Sequence, residues 1–391
     1  MDLNPRQLVT QFAHLLQQNL FPVLESVVGP LSTQLELLTA VMSVTPLERF
    51  LSARRASTGR PAKDRAALAT AFMAKAILNL PTTRDLISRL RVDEALRQFC
   101  GWSSVLKLPH ESKFSRAFAE FALTQLPQQL HEAVIAATQS NRLIGHIARD
   151  STAIPVRETL APSTKAAAAK KKAAKKSRIG KSPKRPTKRR KLADHGTRIQ
   201  RQRKQKLDRM LKDLPQLCDY GVKQGSQGNE FFWRGYKLHL DVADGQLPIS
   251  AVLTSASVHD SQVAIPLMTM TGQRVTHLYE LMDSAYDAKE ILDHSRQLNH
   301  VPIVAIHPRR GTRKSSQLQR VFPDKPTPQL GLAQQERYKT RTMSERVNAR
   351  LKDEFGASQI RVRGAAKVMA HLMFGVLVLT VDQWLRMNVS D

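Results

Sequence analysis

GYKLHLDVADGQLPISAVLTSASVHDS, residues 235 to 261, holds two kinds of periodicity in one short span. Tyr236, Leu238, Leu240 and Val242 alternate with Lys237, His239 and Asp241, the period of a half-buried strand. Asp244-Gly245 marks a turn, and Pro248 to Thr254 returns as a second strand, so the two form a hairpin. Asp260 then stands where it can cap a helix beginning near Ser261, and Pro266 is expected to kink that helix or mark a later start. Toward the C-terminus, His277 to Met282 reads as a short apolar strand ending at Asp283. Ala288 to Leu298 is helical in pattern and Val301 to Ile306 is strand again, which implies a right-handed parallel crossover. Toward the N-terminus, RLIGHIARDST at 142–152 reads as a strand with Asp150 near its end. These pieces predict an α/β domain over 141–391, a mixed sheet flanked by helices.

Ahead of it, residues 1–140 read as helix after helix, an all-helical N-terminal domain. Leu8, Phe12, Leu15 and Leu16 fall at helical spacing, as do Leu86, Ile87 and Leu90, with Thr82 or Thr83 as a helix start. The 391 residues suffice for two or three domains, each expected to have its own core. Val368 to Val381 is apolar but shorter than the roughly 20 residues a bilayer requires and contains His371, so a buried C-terminal helix is expected and no membrane partner.

Lys plus Arg number 61 against 33 Asp plus Glu, a net charge of +28 with a pI near 10.6. Such a field attracts polyanions, nucleic acid first and anionic membrane surfaces as the rival. Residues 165–206 hold 19 of the cations and one acidic residue, Asp194. The run AAAAKKKAAKKSRIGKSPKRPTKRRK within it is low in complexity and cannot bury a core, so 160–230 reads as a basic insertion. Near DNA, Lys184, Arg185, Lys188, Arg189, Arg190 and Lys191 would clamp phosphates; the bland alternative is a solvated insert. Cys100 and Cys218 form neither a ligand pair nor a disulfide framework, and MDLNPRQLVT lacks signal-peptide features, so a cytoplasmic, nucleoid-associated protein is expected.

RYKTRTMSERVNARLKDEFG, 337–356, has no Pro or Gly before Gly356 and reads as one helix. With Glu345 at zero and about 100° per residue, Arg341 falls near about −40°, Lys352 near −20° and Tyr338 near +20°. A carboxylate flanked by two cations and a phenol on one stripe suits a site where phosphate and metal meet. A solvated face with (i, i+4) ion pairs is an equally good account of spacing alone. Asp150 and Asp283 lie at strand ends, where α/β sheets gather ligands, although each alone is more often a turn or cap residue. Three converging carboxylates repel unless cations neutralise them, and Mg²⁺ prefers oxygen ligands.

The spacing Y-x2-R-x3-E-x6-K at Tyr338, Arg341, Glu345 and Lys352 resembles the YREK signature of bacterial insertion-sequence DDE transposases. DSTAIPV at Asp150 and LMDSAYDA at Asp283 resemble the two aspartate motifs of that family, and residues 235–261 resemble its hairpin. LPTTRDLISRLRVDEALRQFCGW and LPHESKFSRAFAEF are similar to the helical N-terminal domain of the same transposases. The likeness spans most of 45–385 but not the basic insertion. It implies an RNase H-like core in which Asp150, Asp283 and Glu345 ligate Mg²⁺ or Mn²⁺, two ions in all. It also implies cleavage at element ends, strand transfer into target DNA, and Tyr338, Arg341 and Lys352 on the DNA beside the cleaved phosphate. The helical domain would read the element ends, with the chain a homo-oligomer on DNA. Some relatives carry a β-rich insertion before the glutamate; the 62 residues from Asp283 to Glu345 leave no room for one.

Two other function classes stay open on the residues: a metal-dependent nuclease on the same core, and a non-enzymatic basic protein that binds nucleic acid by charge. His259-Asp260 could pair catalytically, but a capping role for Asp260 is the better expectation, and Asp287 is read as a cap of the next helix. His277, His294, His300 and His307 show no zinc-ligand spacing, and Trp102, Trp233 and Trp384 are expected as core anchors.

Overall fold

The computed structural model describes residues 11–51 (save 13), 64–160, 196–224, 229–305 and 330–389. The N-terminal region is helical throughout those residues. After a π-helical turn at Leu16–Leu20 come α1 (Phe21–Val28), α2 (Thr33–Val44), α3 (Leu47–Phe50), α4 (Arg65–Ile77), α5 (Thr83–Val92), α6 (Glu94–Phe99), α7 (Glu111–Leu123) and α8 (Leu126–Gln139). Thr82 starts α5 through a capping box in which Thr82 and Asp85 satisfy each other's backbone N–H.

The sheet opens with β1 (Leu143–Pro155) and continues, after α9 (Arg198–Gln202) and α10 (Leu207–Lys212), with β2 (Asp219–Gln224), β3 (Glu230–Ala243) and β4 (Leu247–Ser255). Then follow α11 (Ser261–Arg274), β5 (Thr276–Met282), α12 (Lys289–Gln297), β6 (Val301–Val304), α13 (Leu332–Lys339), α14 (Thr342–Asp353) and α15 (Ala365–Val389). The strand order is β2-β3-β1-β5-β6, and β4 shares with β2 the outer edge of the long β3. β1 is antiparallel to β3 and parallel to β5, and β5 is parallel to β6, so the sheet is mixed. All nine residues of β4 are buried, as both faces of the sheet are covered.

Several boundaries depart from expectation for identifiable reasons. The interval read as an insertion to residue 230 carries order at its C-terminal end. There α9 and α10 pack on α11, and β2 pairs with β3. Gly221 in β2 permits this: a Cβ there would lie 2.3 Å from the Trp233 ring. Pro266 does not delay α11, which starts at Ser261 and carries the proline inside it. The Gln262 carbonyl that a proline cannot satisfy takes the Gln202 side-chain amide at 2.9 Å instead. The helix read as continuous from Tyr338 to Lys352 is two helices, with Thr340 and Arg341 in a turn between them. Thr340 and Thr342 turn their hydroxyls back on the carbonyls of Arg337 (2.7 Å) and Lys339 (3.1 Å), the local competition that weakens threonine in helix interiors.

Among the described residues, one large buried apolar cluster runs from the N-terminal helices through α15 into the sheet, with smaller clusters beside it. α15 is long and apolar enough to cross a membrane by length and composition, yet 67% of its apolar window is buried inside the protein. Trp102, Trp233 and Trp384 are buried, and both cysteines are buried and free.

Candidate active site

Register builds the site. β1 and β5 run in parallel with Arg149 opposite Met282, so the next residues on the two neighbouring strands are Asp150 and Asp283. There β5 ends: Asp283 accepts the Ala285 N–H at 2.8 Å and starts a 3-10 turn over Ser284–Tyr286. β1 does not end at Thr152 as read from sequence. It runs on to Pro155 because β3 still pairs with it there, so Asp150 lies in the notch that β5 vacates.

The notch is electrostatically costly for carboxylates. Burial pushes Asp150 up to about 6 and Asp283's charge adds to this, against the Ser151 N–H, Lys223 and Arg341. Asp283 is raised as well, by burial and by Asp260, with Ala285, Arg341 and Lys223 opposing. Arg341 is one of the two counter-charges, beside Lys223. Burial works against it, but Tyr338, Asp150, Glu345 and Asp283 together hold its proton more firmly than in an ordinary arginine.

α14 packs along β1 and β3 and supplies the rest. Asn348 donates to Asp150 at 3.3 Å. One turn earlier, Glu345 stands 54% exposed with its carboxylate on Arg341 at 2.6 Å. Arg341 also lies 5.8 Å from the Tyr338 ring, so the phenol reaches the site from the separate helix α13. Burial and the charge of Lys223 lower Lys352, against Asp353 and Asp150. Lys184, Arg185, Lys188, Arg189, Arg190 and Lys191 lie outside the described residues.

Near the notch the sequence reading missed one residue and misassigned another. Lys223 was hidden in the stretch taken for insertion. Asp260 occupies the N-cap position of α11 with helical dihedrals and no capping bond. Its carboxylate instead holds the Lys237 ammonium at 2.8 Å. Burial would raise it, but His239, Lys237 and the Ser151 hydroxyl override this and lower it. His259 makes no pair with it and accepts the Ser261 N–H at 3.4 Å. The next helix, α12, has Ala288 at its N-cap rather than Asp287.

The chemistry of this donor set fits hard divalent cations. Two neighbouring carboxylates in a buried notch, with a third on a flexible side chain one helical turn from Asn348, are oxygen donors in need of positive charge. The raised Asp150 gives a prediction with a definite sign. A folded-state value above the unfolded one stabilises below about pH 4 and costs stability as pH rises through about 6. Asp150→Asn should therefore raise the melting temperature at pH 7.5 by a few degrees, on the order of 2 kcal/mol, and by nothing at pH 4. Thermal unfolding across pH without divalent metal checks this, and equal shifts at both pH values would contradict it.

The histidine expectation also changes. Among the described residues, the set of ligand-type side chains whose donor atoms converge within 4.8 Å is His277, Glu280 and His300.

Comparison with known families gives two matches. A model described as a transposase DDE domain matches residues 141–381. A second, described as a transposase domain (DUF772), matches residues 23–120. No curated protein and no solved structure matches.

Proposed function

The chain belongs to the family of transposase DDE domains, and from that premise we propose that it cleaves DNA at the ends of an insertion sequence and joins them to target DNA. Its mixed sheet flanked by helices is the RNase H-like fold of that family. The observation that carries the proposal is the register of β1 on β5, which sets Asp150 and Asp283 side by side under Arg341.

In this reading Asp150 and Asp283 hold Mg²⁺ or Mn²⁺, and Glu345 leaves Arg341 by a side-chain rotation to complete the ligand set. Two such ions supply activation of a water or 3′-hydroxyl and steady the leaving oxygen. Asn348 orients the Asp150 carboxylate through its 3.3 Å hydrogen bond. Released from Glu345, the Arg341 guanidinium is free to take a phosphate oxygen in bidentate fashion. Lys352 and Lys223 extend the cationic border along the strand, and Tyr338 offers its hydroxyl to the same phosphate. The helical N-terminal region reads the element ends, with the chain acting as a homo-oligomer at the nucleoid.

The test is a joining assay with DNA from the regions flanking the gene, where the proposal expects terminal inverted repeats. Mg²⁺-dependent nicking followed by covalent joining to a target plasmid is expected. Nicking without joining would reduce the protein to a nuclease, and binding alone would reduce it to a basic DNA-binding protein.

The basic run is proposed to clamp DNA nonspecifically. Residues 165–193 hold 14 Lys plus Arg and no acidic residue. Deleting them spares α9, whose Gln202 supports α11. The deletion should cut the log–log salt slope of DNA binding by several units, at about 0.9 per phosphate released. An unchanged slope would show that the run does not touch DNA.

A further inference from the structure

Beneath the catalytic notch, on the strand that delivers Asp283, lies a buried polar cluster that the proposed chemistry does not use. Glu280 of β5 is fully buried, and His277 of the same strand and His300, just before β6, converge on it. We propose that His277, Glu280 and His300 form a structural binding site for a borderline transition-metal cation of the Zn²⁺ type, separate from the carboxylate notch.

Distances carry the argument. His277 Nε2 lies 3.4 Å and His300 Nδ1 3.7 Å from the same Glu280 Oε1. A charge-assisted imidazole–carboxylate bond would close to about 2.8 Å. The edges of a tetrahedron of nitrogen and oxygen ligands about Zn²⁺, with bonds of about 2.0–2.1 Å, are about 3.4 Å. The observed spacing is that of co-ligands. His300 Nδ1 and Glu280 Oε2 are buried with no hydrogen-bond partner, an expensive condition unless a cation takes the lone pairs.

The charge balance points the same way. Arg149 is the guanidinium of this cluster, and it is engaged by Asp241 at 2.7 Å while Glu280 lies farther off, at 3.4 Å. Two buried carboxylates face one buried cation, so further positive charge is favoured. A proton shared by the two imidazoles, whose rings lie 3.7 Å apart, is the rival source. Sequence spacing hides the site because two donors lie on β5 and the third in the turn that leads into β6. A bound ion would pin β5 to the start of β6 three residues before Asp283, and so fix the strand end from which that aspartate projects.

The experiment needs no DNA and no activity, so it stands or falls apart from the transposase reading. The full-length chain carrying Asp150→Asn and Asp283→Asn, which removes the notch as an oxygen site, is equilibrated with Zn²⁺, dialysed, and its metal content measured. One equivalent per chain should remain. His277→Gln or His300→Gln added to that background should abolish it, with folding checked by circular dichroism. Co²⁺ loaded into the otherwise unsubstituted chain should give the intense visible absorption of a tetrahedral nitrogen–oxygen site. Weak octahedral absorption alone, or no retained zinc, would overturn the proposal in favour of the shared proton. Retention undiminished by both histidine substitutions would overturn it too.

Discussion

Asp283→Asn and Asp150→Asn should each abolish Mg²⁺-dependent cleavage, by more than roughly a thousandfold, while DNA affinity falls little. Each substitution removes an anionic oxygen donor from a site where the two carboxylates are adjacent by strand register. Loss of a preorganised charge at a transferring phosphate costs about 3–4 kcal/mol or more, against about 1.4 kcal/mol for each factor of ten in rate. Affinity, by contrast, rests on cation–phosphate contacts, which the chain has in excess. Single-turnover nicking beside a binding isotherm separates the two. Full activity in either variant would remove that aspartate from the site.

Arg341→Gln should slow cleavage and joining by about a hundred- to a thousandfold. The signature reading makes Arg341 a phosphate contact, and the structure adds a second role, since its guanidinium also answers Asp150, Asp283 and Glu345. Stability therefore depends on metal. In EDTA the variant leaves two buried carboxylates with Lys223 but without the Arg341 charge and should melt a few degrees lower. In Mg²⁺ the difference should shrink to under about 1 kcal/mol, the range of a partly exposed ion pair. Lys352→Gln should give a smaller kinetic loss, and Tyr338→Phe a smaller one again, because the ring remains. Wild-type rates in both Arg341→Gln and Lys352→Gln would favour the solvated-face account of the same residues.

Both predictions began with residues legible in sequence. Alternation from Tyr236 to Val242 and the turn at Asp244-Gly245 marked the β3–β4 hairpin, although both faces are covered and His239 and Asp241 are buried as well. Asp283 was placed correctly just past β5, as an apolar run followed by a capping aspartate is a local signal. What sequence missed depends on partners far away in the chain. β1 outlasts Thr152 because β3 pairs with it as far as Pro155, and Asp260 forgoes capping because Lys237 takes its carboxylate. The helix break at Thr340 was local but ambiguous, since threonine serves either conformation until its hydroxyl finds a carbonyl. The cluster around Glu280 needed the β5–β6 pairing to be seen at all.

Glu345 is where sequence and structure pull apart most, and it tests the account most directly. The spacing makes it the third metal ligand, whereas its carboxylate bonds Arg341 at 2.6 Å and stands mostly in solvent. Single-turnover joining of end-containing DNA should be measured at saturating protein and Mg²⁺ for wild type and Glu345→Gln. The amide can still accept a hydrogen bond from Arg341 but cannot supply an anionic ligand. The account predicts joining reduced by at least about a thousandfold with binding retained. A Glu345→Gln chain that joins DNA at the wild-type rate would show Glu345 to be only a salt-bridge partner and would contradict the three-carboxylate mechanism.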